Sequence, residues 1–398
     1  PKPPTTATKT AMKVAMITDY GDITDQSFNQ TTYEACKAYC SEKSIDFNYF
    51  KPASDSDADR VAMIEKAVAD GYNVIVMPGY AFANAIKQTV NTYTDVKFVA
   101  LDVGAGDLNT FNDDGSIKEE FKVPSNLYCA VYQEELCGYM AGYAAVKLGY
   151  KQLGFLGGMA VPAVVRYGYG FVQGVNAAAT ELNIADQVSV KYVYGNKFAP
   201  APEITAVMDT WYKGGTEVVF ACGGGIYASA AEAAAKVEGA KVIGVDVDQA
   251  GIIDGKYGEG MTVTSAMKGL APTVKTVLAA ISADKWADFG GKIETLGLVS
   301  ENPDDNYVQL AGSTQSPTAS LRTTTRPSLL PCSRAISRLI TPPRSCLRFL
   351  SRSRCSTTSC NLSSKSSRTD GIFRLSLFYL YFRHFYLQCH PYYCIINY

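Results

Sequence analysis

Val14-Ala15-Met16-Ile17-Thr18-Asp19-Tyr20-Gly21-Asp22-Ile23-Thr24-Asp25-Gln26-Ser27-Phe28-Asn29-Gln30 is the stretch on which the reading of the chain turns. Its first four residues are an apolar run of strand length. A helical spacing of Tyr33, Cys36 and Cys40 follows it. Between them lies a polar loop of carboxylates, a hydroxyl, an aromatic and an amide. In open α/β sheets ligands bind beyond the carboxyl ends of strands, and this loop occupies such a position. It holds no nucleophile paired with a base. Its residue types suit a grip on a flat, polar small molecule, with Asp and Asn for hydrogen bonds and Phe for a stacking face.

Working outward, the same strand–loop–helix unit recurs. Strands are expected at 13–18, 46–50, 73–77 and 97–101, with helices at about 28–42 and after Ser54-Asp55-Ser56-Asp57, which supplies N-cap residues. Residues 104–124 interrupt the rhythm, with Asn112-Asp113-Asp114-Gly115 as a turn. A calcium loop aligned on Gly115 would put Thr110 and Phe121 at its first and twelfth positions, so that reading is rejected. Strands then follow at 126–132, 152–156, 188–194, 218–222, 241–245 and 261–265. The helices are expected at 134–147, 163–182, 202–213, 228–237 and about 270–283. Continuous apolar strands separated by helices indicate parallel sheets covered on both faces, and two successive series indicate two lobes.

The net charge of −1 over 398 residues conceals two chemically different pieces. Residues 312–398 carry eleven Arg, one Lys and a single acid, Asp370, whereas the body holds 25 basic and 37 acidic residues with Arg60 and Arg166 as its arginines. Both histidines, His384 and His390, lie in the tail, so the body lacks the commonest general base. The body cysteines, Cys36, Cys40, Cys129, Cys137 and Cys222, have no Cys-x-x-Cys spacing and read as buried small hydrophobes. The start, Pro1-Lys2-Pro3-Pro4-Thr5-Thr6, reads as a flexible tether over residues 1–11, and no 18-residue apolar run is present.

The tail is rich in Ser, Thr, Arg, Pro and Cys and has no strand–helix rhythm. Its six cysteines and many aromatics do not fit a basic nucleic-acid arm. We read it as an out-of-frame translation that begins just after Gln315. Residues 331–345 can be back-translated so that a shifted frame yields an acidic, Lys-using peptide like the body. The expectation is that residues 316–398 are largely disordered, and that the second lobe is poorer in stability for lack of its closing elements.

Seven groups at strand ends carry polar or aromatic side chains. They contain Asp25, Ser27, Phe28 and Asn29; Tyr80; Asp102; Tyr167; Gly224, Gly225 and Tyr227; Asp246; and Lys268. A carboxylate only accepts hydrogen bonds, which suits diols and N–H groups, and glycines let backbone approach a ligand. Each signal alone has a plain structural alternative: an Asp as a helix cap, Tyr167 as core, Lys268 as a solvated charge. Recurrence at successive strand ends favours a binding site.

The Asp-x-Ser-Phe-Asn motif formed by Asp25, Ser27, Phe28 and Asn29, with these other strand ends, resembles the basic membrane protein family of ABC-transporter substrate-binding lipoproteins, in particular its purine-nucleoside receptors. The resemblance covers about residues 12–311. It implies an α/β, two-lobed periplasmic-binding-protein type I fold. One lobe would be formed by residues 12–130 plus about 260–288, the other by 131–259 plus about 289–311, with the ligand cleft between them. It further implies that Asn29 and Asp102 hydrogen-bond a base edge and that Phe28 or Tyr167 stacks on it. Asp246, Lys268 and the Gly224-Gly225 turn would hold ribose hydroxyls. Tyr227 stands where the family has glycine, and Tyr167 where phenylalanine is common. No cofactor and no nucleic acid are implied. The partners would be a nucleoside, a permease and its ATPase, with the protein outside the cytoplasm on a lipid anchor that this sequence does not contain. The alternatives are the ligand-sensing part of a regulator, a receptor for a sugar or signalling molecule, and, with least support, an enzyme of nucleoside metabolism.

Overall fold

A computed structural model describes residues 11–315 together with 386–390 and 393–397. The chain begins with β1 (Lys13–Ile17), α1 (Phe28–Lys43), β2 (Asp46–Phe50), α2 (Asp57–Ala69), β3 (Val74–Pro78), α3 (Ala83–Thr89) and β4 (Lys97–Leu101). α2 starts where the sequence signals it: Ser56 is its N-cap and accepts the Asp59 N–H at 3.1 Å, while Asp57 and Asp59 place negative charge in the first turn. α1 stops at Ser44, which turns left-handed (φ 55°). The interruption that follows is a short helix, α4 (Ala105–Leu108), and an exposed hairpin of β5 (Thr110–Phe111) and β6 (Ile117–Glu119), closed by the expected turn at Gly115.

After β7 (Leu127–Tyr132) the pattern repeats with α5 (Glu134–Lys147), β8 (Gln152–Gly157), α6 (Pro162–Glu181), β9 (Ser189–Tyr194), α7 (Pro202–Lys213), β10 (Val218–Cys222), α8 (Tyr227–Ala234), β11 (Lys241–Asp246), α9 (Ala250–Tyr257) and β12 (Thr262–Lys268). Then come α10 (Leu270–Ser282), β13 (Lys292–Leu296) and β14 (Val308–Leu310). One sheet has the order β13-β7-β4-β3-β1-β2 and the other β14-β12-β11-β10-β8-β9, so the two match position by position. Each is parallel except that β14 runs antiparallel to β12. The inner strands of both sheets are buried nearly end to end, as continuous apolar runs require, whereas the edge strands β2, β9 and β13 are partly exposed.

These two sheets define two α/β lobes. The division near the C-terminus differs from the sequence expectation. β12 pairs with β11 in the second lobe, and β13 pairs with β7 in the first. Strand registers, which a linear reading does not supply, decide this. The chain crosses between lobes after β7, after β12 and between β13 and β14. α9 was not anticipated, because Gly251 and Gly255 interrupt it and Ile253 is its one buried residue.

Two further strands, β15 (Tyr386–His390) and β16 (Tyr393–Asn397), form a hairpin whose β16 pairs antiparallel with β9. This corrects the expectation of disorder for those ten residues: β9 is an edge strand and offers unpaired backbone groups. The rest of the tail expectation falls outside the described residues. The five body cysteines are buried and free, as expected. Among the described residues no helix is long and apolar enough to cross a membrane.

Candidate functional site

Between the carboxyl ends of the two sheets lies a cavity of about 430 Å³, within the range of small-molecule sites. Strand ends of both lobes build it, and the matched sheet orders place equivalent turns across from one another. β3 and β10 each end in a glycine of positive φ, Gly79 (122°) and Gly223 (143°), that leads into a single turn of tight helix. β4 and β11 each end in an aspartate held left-handed, Asp102 (φ 59°) and Asp246 (φ 65°). Left-handed backbone is uncommon for any residue but glycine and gathers at functional sites.

Eleven of the twelve candidate residues line this cavity: Asp25, Phe28, Asn29, Tyr80, Asp102, Tyr167, Gly224, Gly225, Tyr227, Asp246 and Lys268. Ser27 lies behind the wall, where its hydroxyl donates to Asp246 Oδ2 at 2.5 Å. Asp25 reaches the wall with its carboxylate already engaged. It accepts the backbone N–H groups of Ser27, Asn29 and Gln30 and so organises the loop and the start of α1. Tyr167 is fully buried, with its hydroxyl donating to the Ala266 carbonyl and its ring edge-on to Phe220. The core alternative therefore describes most of its contacts.

Lys268 is the electrostatic centre. Its Nζ lies 2.7 Å from Asp102 Oδ2 and 3.1 Å from Glu134 Oε1. The same ammonium sits 5.1–5.6 Å from the ring centres of Phe28, Tyr132 and Tyr167, close enough for cation–π attraction. Arg166 Nε holds the other oxygen of Glu134 at 2.6 Å. Burial alone would lower the Lys268 pKa, but Asp102, Glu134 and Asp246 outweigh it and hold the ammonium charged. Burial pushes the Asp102 carboxyl up to about 6, against the pull of Lys268 and with help from Glu134. Burial also raises Asp246, again opposed by Lys268.

Two acceptors remain over. Asn29 Nδ2 faces the carboxylates of Asp19 and Asp25 at 3.3 Å, which fixes the amide with its oxygen on the opposite side. Asn29 Oδ1 and Asp102 Oδ1 are buried and make no hydrogen bond within the protein. An unmade hydrogen bond at a buried polar atom costs about 1–3 kcal/mol, so a molecule with paired donors would fit here.

Phe198, in the loop after β9, was not anticipated. A Cβ at Gly158 would lie 2.4 Å from its ring and one at Gly223 2.8 Å, while its carbonyl accepts the Gly225 N–H. The glycine turn thus seats an aromatic in the second lobe's wall, and Phe28 lines the same cavity from the first. Glycines flanking a strand end were the available signal. Glu134 was also missed, because a glutamate opening a helix reads as a dipole partner.

Fold and cleft together define a two-lobed small-molecule-binding protein of the periplasmic-binding type. The chain belongs to the Bmp family, described as ABC transporter substrate-binding protein PnrA-like, which residues 12–310 match. It is 27% identical over 305 residues to the ABC transporter nucleoside-binding protein BmpA of Lactococcus lactis subsp. cremoris, covering 73% of this chain and 80% of that one. It is 31% identical over 299 residues to the CD4+ T-cell-stimulating antigen of Listeria monocytogenes, covering 71% and 76%. Among solved structures, an ABC transporter solute-binding protein of Aeropyrum pernix K1 superposes with a TM-score of 0.62 at 18% identity, over 85% of this chain and 89% of that one. The protein is therefore a transporter's binding component that serves a permease and ATPase, not an enzyme.

Proposed function

We propose that the ligand is a purine nucleoside, captured between the lobes for uptake. The observation that carries this reading is the pair of buried, unpartnered acceptors, Asn29 Oδ1 and Asp102 Oδ1, at the edge of a cavity with aromatic walls. They suit the N–H groups of a purine edge, with Phe28 and Phe198 against its faces. Asp246 and the backbone of the Gly223-Gly224-Gly225 turn suit the ribose hydroxyls, and Lys268 ties Asp102 into position. The nucleoside-binding name of the Lactococcus relative supports the same class. In this reading the protein works outside the cytoplasm, held by a lipid anchor ahead of residues 1–11, and delivers its nucleoside to the permease.

Titration calorimetry with adenosine, guanosine and inosine, their free bases and D-ribose tests the proposal. Nucleosides are expected to bind at least tenfold more tightly than bases, and ribose alone not measurably. Equal affinity for bases and nucleosides would remove the ribose assignment. Tight binding of ribose would replace the nucleoside with a sugar.

A further inference from the structure

We infer that Gln249, a residue outside the cavity wall, is a latch that holds the two lobes closed. It follows β11 in the second lobe and is 1% exposed. Its Oε1 accepts the Val245 N–H at 3.0 Å, and its Nε2 donates to the Gln26 carbonyl of the first lobe, also at 3.0 Å. An N–H at one end and a carbonyl at the other fix the amide orientation. Its own N–H donates to Ser265 Oγ at 3.1 Å, so the side chain is held from within its lobe before it reaches across. A Cβ at Gly244 would lie 2.8 Å from Gln249 Oε1 and 2.6 Å from Ser265 Oγ, so this glycine leaves room for the seat.

The receiving end is equally prepared. Gln26 is left-handed (φ 56°) and its N–H is taken by Gln30 Oε1 at 2.9 Å, which turns its carbonyl toward the other lobe. The other side-chain bridges between the lobes among the described residues, Tyr20–Met159, Ser27–Asp246 and Lys268–Asp102, each involve at least one cavity-wall residue. Gln249 does not line the cavity and is separable from ligand contact. Its bond exists when the lobes meet and breaks when they part, so it weights the closed state for any ligand.

This inference rests on the reading of the interlobe cleft as the ligand site, and its test separates the two. Dyes attached through azido side chains encoded at exposed positions Glu65 and Glu232 report lobe separation by single-molecule energy transfer. The wild-type full chain and Gln249→Met are compared without ligand and with adenosine, guanosine, inosine or D-ribose. Gln249→Met keeps the side-chain volume and removes both amide contacts. The closed-to-open ratio is expected to fall about threefold to tenfold, with ligand release faster by a similar factor and association little changed. A merely structural role would lower the melting temperature and leave the ratio where it was. Gly244→Ala, which crowds the seat from below, should move the ratio the same way and serves if Gln249→Met folds poorly. Ratios within twofold of wild type for both variants, or no closed population in the wild type under any condition, would overturn the latch. Failure of every nucleoside to bind would sink the ligand assignment alone, because the ratio is also read without ligand.

Discussion

Asp102 and Asp246 occupy equivalent strand ends in the two lobes, and their surroundings give them different work. Asp246 has one oxygen taken by Ser27, whereas Asp102 shares one with Lys268 and keeps the other unpartnered. Asp246→Ala should weaken nucleoside binding by about 1.5–3 kcal/mol, the worth of a hydrogen bond to a charged group; calorimetry with an unchanged affinity would remove Asp246 from the site. Asp102 makes binding depend on pH. Its folded pKa, raised to about 6 by burial, means that the carboxyl takes up a proton as pH falls through 6. It then ceases to be a purely accepting group and loses its charge pair with Lys268. Ligand affinity should therefore be flat above about pH 7 and fall below pH 6 by up to about tenfold per pH unit, with a shallower slope in Asp102→Asn. The stability sign is opposite, since a carboxyl raised in the folded state favours folding at low pH and loses that advantage as pH rises from about 4 to 6. Acceptor residues at strand ends were legible in the sequence, because position and chemistry together single them out. The split between binding side chains and scaffold was not, since it depends on which oxygens of Asp25 and Ser27 are already taken.

Helices α5 and α6 show what the sequence states and what it withholds. Both were placed within one or two residues by apolar periodicity, and Pro162 opens the second. Their intimacy was not foreseen. A Cβ at Gly170 would lie 1.9 Å from the Glu135 carbonyl oxygen, and one at Gly138 2.1 Å from that of Tyr167, so four glycines, with Gly142 and Gly174, let the backbones touch. Helix glycines lower propensity, and a linear reading registers that cost without its reason. The contact also seats the site: α5 begins with Glu134 and the first turns of α6 carry Arg166 and Tyr167. Gly170→Ala should destabilise the chain by at least about 1–3 kcal/mol through overpacking, visible as a lower urea midpoint. Because it shifts α6 against α5, it should also weaken binding. A midpoint equal to the wild type would show that the helices separate at little cost.

At the scale of the molecule, the two-lobed plan was legible because strand–helix alternation repeats, and a repeat survives errors at individual boundaries. The exchange of β12 and β13 between lobes was not, because a crossing is a property of strand pairing rather than of composition. The tail poses the remaining question at this scale. Every cavity-wall residue lies between Asp19 and Lys268, and the four side-chain bridges between lobes among the described residues fall in the same interval. The second sheet is fastened up to residue 315: the Ala311 N–H donates to the Ser265 carbonyl, and Gln315 bonds the carbonyls of Val263, Gly260 and Thr262. What lies beyond contributes the β15–β16 hairpin along β9, an edge remote in sheet order from β12 and its Lys268. A chain ended after Gln315 should therefore bind the same ligand within about threefold of the full chain's affinity, as read by calorimetry. It should lose the backbone pairing that covers the β9 edge and associate more readily, because an open edge strand templates further pairing. Light scattering during storage measures that association. Binding weakened more than tenfold would mean that the second lobe depends on residues 316–398 for its shape. The expectation that those residues are foreign to the fold would then fail.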